Sequence, residues 1–130
     1  METKDILIKK LEQMGGKYWA KGAMERMYFP AQVVFKMDIN RYGSGRIASA
    51  TADGERISNA EADRCLGVGL YIDLASTTVG KDDDGRVTVK NVPTVCVTNA
   101  HLPRSTRHLL DKFVARLTEI IHEETKEEGE

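Results

Sequence analysis

Cysteine, proline, histidine and aromatic residues are all scarce in this chain of 130 residues. The two cysteines, Cys65 and Cys96, form no C-x-x-C pair, so we expect neither a disulfide framework nor a zinc site. Of the three histidines, only His108 and His122 fall on related faces of one helix, and four turns separate them. His101 adds no further ligand pattern. The sequence therefore predicts no metal and no cofactor, and it favours a reducing, cytoplasmic setting.

Long hydrophobic runs are also missing. No uncharged run approaches the ~20 residues that span a bilayer, and the N-terminal METKDILIKK lacks the apolar core of a signal peptide. We therefore expect neither secretion nor membrane insertion. The length and the 41% hydrophobic fraction are sufficient for one domain, residues 1–130, with its own core.

Charge is nearly balanced overall but unevenly distributed. The net charge is −1, with 10 Lys and Arg against 7 Asp and Glu in residues 1–56, and 9 against 13 in residues 57–130. Six acids and one Lys lie between Glu119 and Glu130. This block predicts a frayed, solvated acidic tail over residues 122–130.

Helical patterns lie near both ends of the chain. Near the N-terminus, Thr3 is a candidate cap for a helix over about residues 4–14, which Gly15-Gly16 would end. Near the C-terminus, Pro103 fits the first turn of a helix of about 20 residues. That helix carries a broad apolar stripe, formed by Leu109, Leu110, Phe113, Val114, Leu117, Ile120 and Ile121. Such a stripe indicates core packing against a sheet, a dimer seam, or both, and we favour the core.

The breadth of the stripe also makes a homodimer through the C-terminal helix plausible. We place its contact at Phe113, Leu117 and Ile120 or their neighbours.

Turn residues and alternating patterns predict strands between these helices. The segment KYWAKGAMERMYF predicts two short strands with a turn around Lys21-Gly22. Gln32–Asp38 predicts a strand, with a short helix as the alternative, and Arg41–Gly45 predicts a loop. Asp53-Gly54 between alternating segments predicts a type I′ hairpin.

The centre of the chain carries a helix start signal. Ser58 and Glu61 form an S-x-x-E capping box, so a short helix should begin at Asn59 and stop at Gly67. Beyond it, the segments at 70–79 and 86–97 read as strands, the second broken by Pro93. The predicted fold class is α+β, with a small antiparallel or mixed sheet packed by the long C-terminal helix and with short N-terminal and middle helices.

Sequence motifs for catalysis or metal binding are few and incomplete. Residues 82–85 (DDDG) suggest a calcium loop, but aligning Gly85 with its invariant glycine leaves the first and last ligand positions without carboxylates, so a solvated turn is expected. Cys96 and His101 have no orienting carboxylate or oxyanion motif beside them, and Cys96 fits a buried core position. We therefore expect no enzyme activity.

Aromatic and basic residues are concentrated in the first half of the chain. Such interleaving on a sheet face would suit stacking and hydrogen bonding, whereas the alternative places Trp19, Tyr28 and Phe29 in the core. Strand parity puts Arg26 and Tyr28 on one face and Met27 and Phe29 on the other. The best candidate binding residues are Lys21, Arg26, Tyr28 and Arg41.

Three stretches carry a longer pattern: GGKYWAKGAMERMYF, GRIASATADGERISNAEADRCL and a Tyr-x-Asp strand at Tyr71–Asp73. Over roughly residues 14–73 this pattern resembles a family of small, uncharacterised proteins of bacteriophages, prophages and other mobile elements. The resemblance implies no catalytic role. It implies a mobile-element context in the host bacterial cytoplasm, where short proteins often inhibit host defence systems, CRISPR effectors included, by binding.

Several function classes follow. The first is a non-enzymatic phage inhibitor, anti-CRISPR-like, that binds a host defence protein or its signal molecule. The second is a nucleic-acid-binding accessory protein that uses the basic and aromatic face of the N-terminal half. An enzyme with an unrecognised site and a structural or assembly role are the remaining alternatives.

Overall fold

The computed structural model describes residues 3–75, 77–81, 83–98 and 101–125, which contain helices and short strands in alternation. The helices are α1 (Thr3–Gln13), α2 (Ala31–Val34), α3 (Asn59–Leu66) and α4 (Arg104–Thr125). The strands are β1 (Lys17–Lys21), β2 (Met24–Phe29), β3 (Met37–Arg41), β4 (Ile47–Ala52), β5 (Glu55–Ile57), β6 (Gly69–Asp73), β7 (Thr77–Lys81), β8 (Val87–Asn91) and β9 (Thr94–Thr98).

The described strands pair antiparallel in three groups. A four-stranded sheet has the order β1-β2-β6-β9, a three-stranded sheet has the order β3-β4-β5, and β7 pairs with β8 in a separate ribbon. Together with the long C-terminal helix and the shorter helices, these sheets confirm the predicted α+β class. Among the described residues, no helix has both the length and the apolarity to cross a bilayer.

The glycine pair after α1 ends the helix as predicted. Gly15 has φ +98°, and its N–H donates to Glu12 O while the Gly16 N–H donates to Leu11 O, which is the Schellman hydrogen-bond pair. A Cβ on Gly16 would lie 2.8 Å from the Met27 side chain. The turn therefore lets the Met27 side chain of β2 pack directly against its backbone.

Helix α4 supplies much of the core. Leu110 and Leu117 are fully buried, and the half-buried Phe113 packs edge-on against Phe29 of β2 with ring centroids 5.4 Å apart. The seven stripe residues all belong to the main core cluster or pack against it, which confirms the core interpretation. Because Leu117 and Ile120 are buried within their own chain, a dimer through α4 would have to use other residues, and it stays a prediction.

The predicted strand at 32–38 is wrong over its first part. Residues 31–34 form α2, the alternative considered for this segment, because the carbonyl of Pro30 accepts hydrogen bonds from the N–H groups of Val33 and Val34. Lys36 then adopts φ +49°, which reverses the chain into β3. The apolar run fits a helical turn because Val34 and Phe35 both enter the core.

The predicted strand at 70–79 is two strands. The carboxylate of Asp73 accepts a hydrogen bond from the Ala75 N–H at 3.1 Å, an Asx turn that ends β6. Strand β7 begins at Thr77 and pairs only with β8 among the described strands. Asp73 therefore ends a strand within a segment whose alternating pattern predicted one continuous strand.

Local turn and cap signals are confirmed. Asp53 and Gly54 have φ values of +50° and +82°, as a type I′ turn requires, and they join β4 to β5. The Ser58 side chain caps α3, accepting from the Glu61 N–H at 3.1 Å. Pro93 separates β8 from β9, and β9 lies at the edge of its sheet.

Two boundaries shift slightly. Pro103 directly precedes α4 instead of lying in its first turn, and its carbonyl accepts from the N–H groups of Thr106 and Arg107. Arg41, predicted in a loop, is the last residue of β3.

The predicted acidic tail and turn lie partly outside the described residues. Helix α4 continues to Thr125, so residues 122–125 are helical, and residues 126–130 are outside the described part. Of the DDDG segment, Asp82 is likewise outside, and Gly85 has φ +81° in the turn between β7 and β8.

Candidate functional site

The four-stranded sheet has one face on the core and one face turned outward. Along β2, Met27 and Phe29 are buried, whereas Tyr28 is 37% exposed, and on β1 Trp19 is 39% exposed. The strand alternation therefore places Phe29 in the core, as the alternative held, but it places Trp19 and Tyr28 outside. We call this side of the sheet the outer face.

Strand register defines two rows across the outer face. One row runs from Trp19 through Arg26 and Asp73 to Thr94. The next row runs from Lys17 through Tyr28 and Tyr71 to Cys96. Directly opposite residues in paired strands lie on the same side of a sheet, so aromatic and charged side chains meet here across strands that are distant in sequence.

Arg26 lies at the centre of the outer face. Its guanidinium carbon stands 4.6 Å from the centroid of the Tyr71 ring, a cation–π distance, and its Nη1 donates to the Tyr28 hydroxyl at 3.3 Å. The hydrogen bond with Tyr28 raises the pKa of Arg26, and the negative charge of Asp73 on the neighbouring strand acts in the same direction. The guanidinium thus contacts both the Tyr28 hydroxyl and the Tyr71 ring.

Three aromatic rings surround this guanidinium. Trp19 and Tyr28 meet edge to face with centroids 6.3 Å apart, and Tyr28 and Tyr71 are tilted at 5.7 Å. We call Trp19, Arg26, Tyr28 and Tyr71 the outer-face cluster. The cluster presents planar groups held by their neighbours, so a partner would bind it with little loss of side-chain entropy.

Cys96 is not the buried core cysteine that the sequence predicted. It is half-buried on the outer face, opposite Tyr71, and a hydrogen bond between the two side chains raises the pKa of Tyr71. The physical reason is register, because Val95 and Val97 take the core-facing positions of β9. Cys96 therefore borders the outer-face cluster.

The structure brings three of the four predicted binding residues together. Arg26 and Tyr28 are in contact, and Lys21 lies on the same face of the β1–β2 hairpin, paired in register with Met24. Arg41 belongs to the other sheet, where its Nη1 donates to the Gly45 carbonyl at 2.7 Å. Arg41 thus stabilises its own turn and is not part of the outer-face cluster.

Sequence reasoning missed Tyr71 and did not choose Trp19 as a contact residue. Tyr71 and Asp73 share a strand parity, which was visible in the sequence. That β6 pairs with β2 was not visible, because the paired residues are at least 41 positions apart in the sequence. No local signal reports which distant strand will be the neighbour.

Metal binding finds no support in the described part of the chain, where no group of three or more His, Cys, Asp and Glu side chains is placed to hold an ion. The site offers stacking, hydrogen-bond donors and one fixed positive charge.

Comparisons with protein-family models, with curated proteins and with solved structures found no match to this chain.

Proposed function

We propose that this protein acts by binding a partner protein through the outer-face cluster and carries out no catalysis. The observation that carries the proposal is the Arg26 guanidinium, held on an exposed sheet face by Tyr28 and Tyr71 beside the exposed ring of Trp19. Trp, Tyr and Arg are the residue types enriched among binding hot spots. Such anchors contribute most when neighbouring groups orient them before binding, and Tyr28 and Tyr71 are the neighbours that contact Arg26.

The composition of the face favours a protein over a nucleic acid. Met24, which is 45% exposed, extends the cluster on the same face, and methionine is enriched at protein interfaces. Asp73 opposes Arg26 and would repel a phosphate backbone, so these two charges balance each other, and Lys17 and Lys21 are the further positive charges of this face. A phosphate-binding surface generally carries a strong positive excess.

The partner we propose is a host defence protein. The resemblance of residues 14–73 to mobile-element proteins supports this choice, since such proteins act in the host cytoplasm. Binding would inhibit by occupying a surface that the defence protein needs. A signal molecule of the defence system is the smaller ligand that the same context suggests.

The test compares two tyrosine variants of matched chemistry. Tyr28→Ala removes a ring from the outer-face cluster, whereas Tyr42→Ala removes a 63% exposed ring from the turn after β3. Each tagged variant is incubated with nuclease-treated lysate of a bacterium that carries a defence system, and retained proteins are identified and titrated. We expect Tyr28→Ala to weaken binding of a defence protein at least tenfold, and Tyr42→Ala to leave it unchanged.

Two results would contradict the proposal. Equal retention by both variants would show that the outer face is not the contact surface. Micromolar binding of a labelled single-stranded oligonucleotide that weakens steeply with salt and with Tyr28→Ala would assign the face to nucleic acid.

A further inference from the structure

A second surface feature, independent of the outer face, lies beside helix α4. A cleft of about 510 Å³ opens between α4, the end of α2 and the turn that joins β4 to β5. Its apolar lining comes from Met14, Val34, Phe35, Leu109 and Phe113. This volume and apolar lining are typical of small-molecule sites.

Two residues of the apolar stripe on α4 also line the cleft. Leu110 and Leu117 point into the core, whereas Leu109 and Phe113 are half-buried and contribute to the cleft wall. Part of the stripe is thus core and part is available to a ligand.

Charged side chains line the rim of the cleft. Lys36 pairs with Asp53 at 3.7 Å, and Arg116 pairs with Glu119 at 3.5 Å. Lys112 also lines the cleft and forms no ion pair among the described residues, where Asp111 pairs with Arg107 and Glu119 with Arg116. The rim therefore carries one uncompensated positive charge above an apolar lining.

We propose that this cleft binds a small amphipathic carboxylate of the fatty-acid class. Its alkyl chain would lie on the apolar lining, and its carboxylate would meet the Lys112 ammonium. An apolar chain with a single negative charge matches both features at once. A neutral chain would use the lining alone, and a cationic chain would be repelled at the rim.

The test uses octanoate, 1-octanol and octyltrimethylammonium as probes, titrated into the full chain. We expect saturable binding, with the highest affinity for octanoate, a lower affinity for 1-octanol and the lowest for octyltrimethylammonium. Decanoate should bind roughly tenfold more tightly than octanoate, since it buries two more methylenes. Methionine methyl signals in NMR locate the site, because Met14 lines the cleft and Met24 lies on the outer face.

Variants separate the two contacts. Lys112→Gln should weaken octanoate about tenfold and leave 1-octanol unchanged. Lys9→Gln, on an exposed position of α1, is the matched control and should change neither. Ala115→Phe, at an exposed cleft position, should block both probes without lowering the melting temperature.

Several results would overturn the proposal. These are the absence of saturable binding, shifts of Met24 in place of Met14, or equal effects of Lys112→Gln on octanoate and 1-octanol. A dimer in light scattering that Ala115→Phe dissociates would also overturn it, because a second copy of the chain would then cover the cleft.

Discussion

Glu61 links two helices through a single carboxylate. It accepts a hydrogen bond from the hydroxyl of Ser58, the N-cap of α3, at 3.1 Å and another from Ser105 at 2.5 Å in the first turn of α4. The capping box places the Ser58 and Glu61 side chains next to each other, with the Ser58 hydroxyl accepting from the Glu61 N–H. The bond with Ser105 joins residues 44 positions apart and was not visible in the sequence.

Replacing the cap residue should destabilise the protein. Ser58→Ala removes the acceptor of the Glu61 N–H, so the free energy of unfolding should fall by about 1 kcal/mol. Ser44→Ala in the exposed β3–β4 turn is the control and should change it by less than about 0.5 kcal/mol. Chemical denaturation measures both. If Ser58→Ala abolished binding at an unchanged melting temperature, the structural role assigned to Ser58 would be wrong.

The same carboxylate should make stability depend on pH. Hydrogen bonds from Ser105 and Ser58 hold the pKa of Glu61 below its ordinary value of 4.5, so its contribution is present at neutral pH and lost as the pH falls through that lowered pKa. The stability difference between the wild type and Glu61→Gln should therefore shrink as denaturation is repeated from about pH 6 to about pH 3. The exposed Glu55→Gln variant is the control, and a difference that stays constant with pH would contradict the assignment.

Arg26 should contribute to affinity more than to stability. Arg26→Ala removes the central group of the outer-face cluster, so it should cost about 2 kcal/mol or more of binding and leave the melting temperature nearly unchanged. Arg56→Ala, on the exposed strand β5, is the matched control. A lower melting temperature with unchanged affinity would mean that Arg26 only packs its stem on the sheet.

At the scale of elements, the sequence predicted best what depends on neighbouring residues. The Asp53-Gly54 hairpin and the Ser58 cap rest on conformational and hydrogen-bonding preferences within four residues, and both are confirmed. The strand prediction was wrong for residues 32–36 because three apolar residues in a row suit a buried helical turn as well as a strand. The end of β6 after Asp73 was not predicted, because an Asx turn is a weaker sequence signal than glycine or proline.

Two glycine variants should test the turn chemistry with opposite signs. Gly54→Ala places a side chain at φ +82° and should lower the free energy of unfolding by about 1 kcal/mol. Gly43→Ala lies in open space without a positive φ, so it should leave stability unchanged or raise it slightly. Equal losses at both positions would mean that backbone conformation is not the cause.

The sequence predicted only part of the candidate site, because local patterns do not show which distant strands pair. Parity within β2 placed Arg26 and Tyr28 on one face, but the ring that stacks under the guanidinium comes from β6. Arg41 was grouped with them by proximity in sequence, and sheet pairing separates it. Composition identifies residue types suited to binding, and only strand order decides which of them meet.

At the scale of the whole molecule, one core cluster joins both larger sheets. It contains Ala52 of β4, Ile72 of β6, Leu11 of α1 and Leu117 of α4. A destabilising substitution in this shared core should therefore destabilise both sheets together.

Leu117→Ala tests this coupling. The substitution leaves a cavity at a fully buried position, so the free energy of unfolding should fall by about 3 kcal/mol. Hydrogen exchange of β4 and β6 amides should accelerate equally, whereas the exposed Val87→Ala should change neither by much. Faster exchange in only one sheet would divide the molecule into separate folding units.

Helices α1 and α4 pack against each other, and Lys10 of α1 forms an ion pair with Glu124 near the end of α4. During synthesis, the ribosome must therefore translate past Ile121 before Leu7 and Leu11 have their full set of neighbours. The described strands are synthesised before α4, so their core-facing side chains remain uncovered until α4 has been synthesised. That interval is when the nascent chain is most prone to aggregate.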